Sequence, residues 1–193
     1  METHRAYPVP PLVTLPDHYE SRHIIDCNAE PTMPPGHSGR IFHHEQHGII
    51  TWDPSRVSFF QTASQRLGYR INGRILKVLL SGLPTMNMCA LNYFLKFPSA
   101  LPEEVFYFSE EETWLHDTAE VLEFKKRYPD RNRVVAKEPI REKRHIAFWG
   151  TSYTAPDARE HILYLCLVGK NVEAYSRPID VMWSDDFVAI TYW

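Results

Sequence analysis

Histidines are concentrated in one short stretch of the chain, where they form its densest group of potential metal ligands. Four of them fall within eleven residues: His37, His43, His44 and His47. Imidazole nitrogen binds zinc and similar divalent metals, so these side chains could surround one ion and form the site of a metal-dependent hydrolase or nuclease. The spacing differs from the HExxH motif, because Glu45 has the wrong offset and Gly48 disfavours a helix. Solvated loop histidines, with no bound cofactor, are the alternative interpretation.

Nucleophilic catalysis would need a serine or a cysteine beside a base. The sequence Gly36-His37-Ser38-Gly39 is one residue shorter than the GxSxG nucleophile elbow, and no predicted strand precedes it. Cys27 precedes the histidines and could pair with one of them, but a small buried thiol at the end of a strand is the simpler interpretation. Whether the chain is an enzyme therefore stays open at the level of the sequence.

A segment of unusual charge lies in the second half of the chain. Residues 103–124 contain eight acidic residues and no Lys or Arg, whereas residues 125–144 contain nine basic residues and three acidic ones. Opposed runs of charge can orient a protein partner, and basic side chains can also neutralise the phosphates of a nucleic acid. The candidate contact residues are Lys125, Lys126, Arg127, Arg131 and Arg133.

Length and composition limit the class of protein. The chain has 193 residues, 44% of them apolar, and a formal net charge of -3, so we expect a single domain over residues 1–193 without a global field that attracts nucleic acid or anionic lipid. No apolar run approaches the roughly 18 residues of a membrane span. The N-terminal residues lack the pattern of a signal peptide. We therefore expect a cytoplasmic protein without membrane contact.

The pattern of apolar residues predicts an α+β fold to position these side chains. Four stretches rich in β-branched and aromatic residues predict an antiparallel sheet of about four C-terminal strands: 146–151, 161–168, 172–177 and 187–193. The second of these is apolar almost throughout, so we expect it to be covered on both faces. Earlier segments predict two strands, at 23–27 and 48–52, two helices, at 75–80 and 87–97, and an element at 57–67 that fits either a helix or a strand. The expected sheet thus packs with two or three helices, after a proline-rich extended arm at 1–20.

Short phrases spread over residues 23–105 and 145–193 stand out together. They are Ile25-Asp26-Cys27-Asn28-Ala29 with Pro31 and Gly36, His47-Gly48, Trp52-Asp53-Pro54, Asn72-Gly73, Met86–Leu95 with Leu101-Pro102-Glu103-Glu104, and Phe148-Trp149-Gly150-Thr151 with Tyr153. In these phrases the chain resembles a family of small, uncharacterised bacterial proteins. Residues 106–144 lie outside the shared pattern, like an insertion. The resemblance implies no activity, cofactor or catalytic residue.

Three functional hypotheses follow from the sequence. The preferred one is a non-catalytic binding or accessory protein that contacts another protein through the charged segment 106–144. The alternatives are a metal-dependent hydrolase or nuclease that uses the four histidines, and a nucleic-acid-binding protein. We prefer the first because the histidines are scattered through a stretch rich in proline and glycine, which offers no evident scaffold to hold them at ligand geometry.

Overall fold

A computed structural model of the chain describes residues 23–66, 68–107 and 143–193. The helices, in chain order from α1 to α3, are Ala63–Arg66, Gly73–Leu80 and Met88–Lys96, and α1 is only four residues long. The strands, in chain order from β1 to β10, are His23–Asp26, Arg40–His44, Ile49–Trp52, Val57–Phe60, Ile71–Asn72, His145–Thr154, Glu160–Val168, Asn171–Pro178, Met182–Trp183 and Phe187–Tyr192. The expected arm at 1–20 and the candidate contact residues from Lys125 to Arg133 lie outside the described residues.

The main sheet has six strands and confirms the α+β class. Its strand order is β4-β10-β6-β7-β8, and β2 pairs with the second half of β6. The four expected C-terminal strands are all present. Two further strands join them: β4, which lies in the element that the sequence left ambiguous, and β2, which the sequence analysis missed. One pairing also differs from a purely antiparallel sheet, because β10 runs parallel to β6, with Phe187 opposite His145. The β7–β8 hairpin turns at Gly169, whose φ of 64° is a left-handed conformation that glycine tolerates best.

Two helices cover opposite faces of this sheet. Along β7, Leu163 and Leu165 belong to the core cluster that contains Leu91 and Phe94 of α3, whereas Ile162 belongs to the cluster that contains α2. This alternation follows from the two-residue period of a strand. The structure therefore confirms that β7 is covered on both faces.

The caps of the two helices explain where they begin. Asn72 Oδ1 accepts a hydrogen bond from Arg74 N at the start of α2, and the Asn87 side chain accepts from the first-turn amides of α3. Residues 57–67, ambiguous from the sequence, form strand β4 followed by the short helix α1. Asp53 caps only a 3-10 turn, Pro54–Arg56, because β4 takes Val57 into the ladder with β10.

The two ends of the charged segment meet on the fold. Tyr107 forms an isolated antiparallel bridge with Lys143, and Arg144 N donates to the Phe106 carbonyl at 2.8 Å. Phe106 is completely buried in the core around α3, and Arg144 is also buried, with its Nε 2.6 Å from the Val105 carbonyl. The two end residues of the expected insertion at 106–144 are therefore buried: Phe106 belongs to the core cluster, and Arg144 is bonded beside it. None of the described helices is long and apolar enough to cross a membrane.

Candidate functional site

The structure separates the four histidines of the sequence analysis. His43 and His44 are neighbours on β2, so they project to opposite sides of the strand. His47 lies in the connection between β2 and β3, and the ring of His37 has its Nδ1 3.3 Å from the Pro35 carbonyl oxygen, two residues earlier in its own loop. The expectation that all four lie in a loop was wrong for His43 and His44, because β2 gains its ladder from β6.

Glu45 holds two of these histidines on one side of β2. Its Oε1 lies 3.4 Å from His43 Nε2, and its Oε2 lies 3.5 Å from His47 Nε2. The Thr85 hydroxyl donates to the same carboxylate at 3.3 Å. Over residues 23–66, 68–107 and 143–193, no three His, Cys, Asp or Glu side chains converge as ligands for a metal ion. The metal site of the sequence analysis therefore stays a prediction, without a ligand set in these segments.

His44 lies on the other side of β2 and is held by Thr151. The two residues are directly opposite in the β2–β6 ladder, and His44 Nδ1 is 2.7 Å from Thr151 Oγ1. That hydroxyl also accepts a hydrogen bond from Met88 N, the first amide of α3, at 3.0 Å. Thr151 is buried, so this contact fixes the imidazole relative to both the sheet and the helix.

The second residue of α3, Cys89, is in contact with this imidazole. Its Sγ lies 3.9 Å from His44 Nε2 and donates a hydrogen bond to the Ala29 carbonyl at 3.3 Å. The thiol is partly exposed. The site therefore contains a nucleophile, a base beside it and a third group that orients the base, which is the arrangement that activates side-chain nucleophiles in enzymes.

Asn87 joins the segments that carry this site. Its Oδ1 accepts from the amides of Cys89 and Ala90 at 3.1 and 3.3 Å, and its Nδ2 donates to the carbonyls of Cys27 and Glu45, both at 2.8 Å. The side chain is completely buried. One amide therefore ties the start of α3 to the end of β1 and the end of β2.

Gly150 permits the close approach of these segments. A Cβ at this position would lie 2.6 Å from the Thr85 carbonyl and 3.1 Å from Asn87 Cβ. Without a side chain, Gly150 donates its amide to the Met86 carbonyl at 3.0 Å and accepts from Glu45 N at 2.7 Å. Any larger residue here would push β6 away from the segment that begins α3.

Burial keeps both reactive groups neutral at rest. It lowers the pKa of His44 below 6.5, an effect partly offset by a hydrogen bond to the Cys27 backbone. Burial also raises the pKa of Cys89 above 9.0, and the nearby Asp26 carboxylate adds to this effect. At neutral pH the site thus holds a thiol and a neutral imidazole rather than a thiolate–imidazolium pair.

The histidine's cysteine partner differs from the one considered in the sequence analysis. Cys27 is the buried thiol at the end of β1, and burial raises its pKa to about 12. Cys89 is the residue beside the imidazole. The sequence did predict a helix from Asn87, which places Cys89 in its first turn, but it gave no sign of β2 and so none of the contact with His44.

An open groove lies on the side of Cys27 and Met86, the neighbours of Asn87. It has a volume of about 470 Å³, and its walls include Cys27, Met86 and the apolar side chains of Ile49 and Ile50, with Arg56 among the polar groups. Cys27 and Met86 both contact the segment around Asn87, since the Cys27 carbonyl binds its side chain and Met86 precedes it in sequence. Neither Cys89 nor His44 is among the residues that line this groove.

A second polar cluster lies at the turn of the β6–β7 hairpin. His161 Nδ1 is 3.2 Å from Ser176 Oγ, and His161 Nε2 is 3.1 Å from Asp157 Oδ2. The buried Tyr153 hydroxyl also interacts with Ser176. Although the residue types match a Ser-His-Asp triad, the serine is engaged on both sides within the sheet. We assign this cluster to satisfying buried polar groups.

Comparison with models of known protein families, with curated proteins and with solved structures found no match to this chain.

Proposed function

We propose that the protein is a thiol enzyme, in which Cys89 attacks an activated acyl substrate and His44 acts as the general base. The observation that supports this proposal is the position of His44 between Thr151 Oγ1, at 2.7 Å, and Cys89 Sγ, at 3.9 Å. A nucleophile with a base beside it, itself oriented by a third group, is the arrangement of a side chain activated for covalent catalysis.

The hydrogen bonds are compatible with the reactive tautomer of His44. The Thr151 oxygen has two lone pairs, so it can accept from Met88 N and from a protonated His44 Nδ1 at the same time. In that tautomer, Nε2 carries its lone pair toward the Cys89 thiol. The hydrogen positions are assigned from this network.

The reaction has two balanced steps. As Cys89 Sγ attacks the acyl carbon, its proton passes to His44 Nε2, and this proton then leaves on the departing group. The product is an acyl thioester on Cys89. In the second step an acceptor, water or an amine, gives a proton to His44 as it attacks the thioester, and the thiol is restored. The hydrogen bond to the Cys27 backbone stabilises the imidazolium that forms in both steps.

The first turn of α3 limits the class of substrate. Met88 N is bonded to Thr151, and the amides of Cys89 and Ala90 are bonded to Asn87. These three amides are therefore not free to form an oxyanion hole, which peptide cleavage depends on strongly. A thioester carbonyl is more electrophilic than an amide carbonyl and needs less such stabilisation. We therefore propose a thioester, or an ester of similar reactivity, as the acyl donor.

The test is the rate at which reduced protein is acylated by a model thioester, followed by intact mass spectrometry. We expect one acyl group on Cys89 and none in Cys89→Ala. His44→Ala should slow the reaction on the order of 100-fold or more, because it removes the general base. His43→Ala is the matched control, since His43 is adjacent on β2 but on the opposite side, and should react like the wild type. Equal losses in both histidine variants, or acylation at Cys166 instead, would contradict the proposal. A protein that is not acylated at all would favour the non-catalytic binding hypothesis.

A further inference from the structure

The site contains a second thiol that the proposed reaction does not use. The Asn87 side chain bridges the backbones of both cysteines, because Nδ2 donates to the Cys27 carbonyl at 2.8 Å while Oδ1 accepts from Cys89 N at 3.1 Å. Cys89 Sγ, in turn, is bonded to the Ala29 carbonyl, two residues beyond Cys27. One side-chain amide thus spans the gap between the two cysteine backbones, and the Cys89 thiol lies over the turn that begins at Cys27.

The two thiols differ in how they can be reached. Cys89 is partly exposed, whereas the Cys27 side chain is 1% exposed. An oxidant from solution therefore meets Cys89 first. Burial first, and then the neighbouring Cys89, raise the pKa of Cys27, which is consistent with two thiols close to each other. The third cysteine, Cys166, lies on β7 opposite Glu173 of β8, away from this turn.

We infer that Cys27 is the resolving cysteine of Cys89 and closes a Cys27–Cys89 disulfide when a peroxide oxidises the site. This inference rests on the proposed function only in taking Cys89 as the nucleophile. It goes beyond that function because it gives Cys27 a role and makes the site sensitive to oxidation.

The chemistry balances in two steps. Cys89 sulfur, after loss of its proton to His44, attacks one peroxide oxygen. The O–O bond breaks, the other oxygen leaves as water or an alcohol with that proton, and Cys89 becomes a sulfenic acid. Cys27 sulfur then attacks Cys89 sulfur, the S–O bond breaks, and water leaves with the Cys27 proton. The two thiols together lose two electrons, which the peroxide gains. The disulfide blocks acyl transfer and protects Cys89 from further oxidation until a thiol reductant restores it.

The experiment uses full-length protein that is reduced, freed of reductant, treated with hydrogen peroxide and alkylated. We expect wild type to lose two hydrogens in mass and to give a cross-linked peptide containing Cys27 and Cys89. Cys166→Ala, the matched control, should behave in the same way. Cys27→Ala should instead accumulate sulfinic acid on Cys89. The wild-type and Cys166→Ala results stand even if Cys27→Ala does not fold.

Two outcomes would overturn the inference. One is sulfinic acid on Cys89 of the wild type without any cross-link, and the other is a cross-link of Cys89 to Cys166. The acylation assay, run under reducing conditions, separates this inference from the proposed function. A protein that is acylated but forms no disulfide loses only the resolving role of Cys27, whereas one that forms the disulfide but is never acylated loses only the acyl-transfer proposal.

Discussion

At the scale of single residues, the proposed chemistry depends on the protonation of His44. Burial lowers the pKa of this imidazole below 6.5, so the neutral base persists into mildly acidic solution. The same burial raises the pKa of Cys89 above 9.0, so the free thiolate is scarce at neutral pH. Reaction near neutral pH therefore has to proceed through transfer of the thiol proton to the imidazole.

The lowered pKa of His44 and the raised pKa of Cys89 predict different pH profiles for acylation in the wild type and in His44→Ala. In the wild type the rate should fall as the pH is lowered through the pKa of His44, with a midpoint below 6.5, because protonation removes the base. In His44→Ala that limb should vanish, and the rate should rise only as the thiolate forms in alkaline solution, because burial raises the pKa of Cys89 above its usual value. The measurement is the initial rate of acylation by intact mass across the pH range. A wild-type profile that follows the thiolate alone would show that His44 is not the base.

At the scale of elements, most of the helices and strands could be predicted from the sequence. The contact between β2 and α3, which brings His44 to Cys89, could not. Helices α2 and α3 and strands β1, β3, β6 to β8 and β10 follow from apolar periodicity and from stretches rich in β-branched and aromatic residues. Strand β2 has only Ile41 and Phe42 as strong strand formers, and its residues are half-exposed or exposed, so the sequence shows no alternation. Its pairing with β6 is a long-range contact that local pattern does not encode. The Cys89–His44 contact was therefore invisible from the sequence.

The central role of Asn87 at the start of α3 predicts a large loss of stability in Asn87→Ala. The substitution removes a helix cap and leaves the buried carbonyls of Cys27 and Glu45 without their donor. We expect a loss of about 2–4 kcal/mol in the free energy of unfolding. Asn72→Ala is the matched control, because Asn72 caps α2 at an exposed position, and it should cost about 1 kcal/mol. Urea denaturation measures both, and equal losses would show that Asn87 acts only as a cap.

At the scale of the whole molecule, the two ends of the charged segment lie side by side in the described structure. Tyr107 pairs with Lys143, so the described residues on the two sides of the segment are neighbours. The sequence indicated this insertion through its charge and through its absence from the phrases of the resemblance. It could not give the boundaries, because the apolar run that contains Phe106 continues into the segment and Arg144 ends a run of basic residues, although both side chains are buried.

The paired ends predict that the segment can be removed if the cut respects the core. Replacing residues 108–142 with a short Gly/Ser linker should leave a cooperatively folding protein, because closing a short surface loop costs little. Replacing residues 106–144 should cost about 3–5 kcal/mol more, because it deletes the fully buried Phe106. Thermal and urea unfolding of the two shortened chains measure the difference.

The 108–142 variant should also keep the acylation of Cys89, since His44, Thr151 and Asn87 all lie outside the deleted stretch. If that variant folds but loses acylation, the charged segment contributes to the site, and the hypothesis that function depends on Lys125, Lys126, Arg127, Arg131 and Arg133 gains its first support.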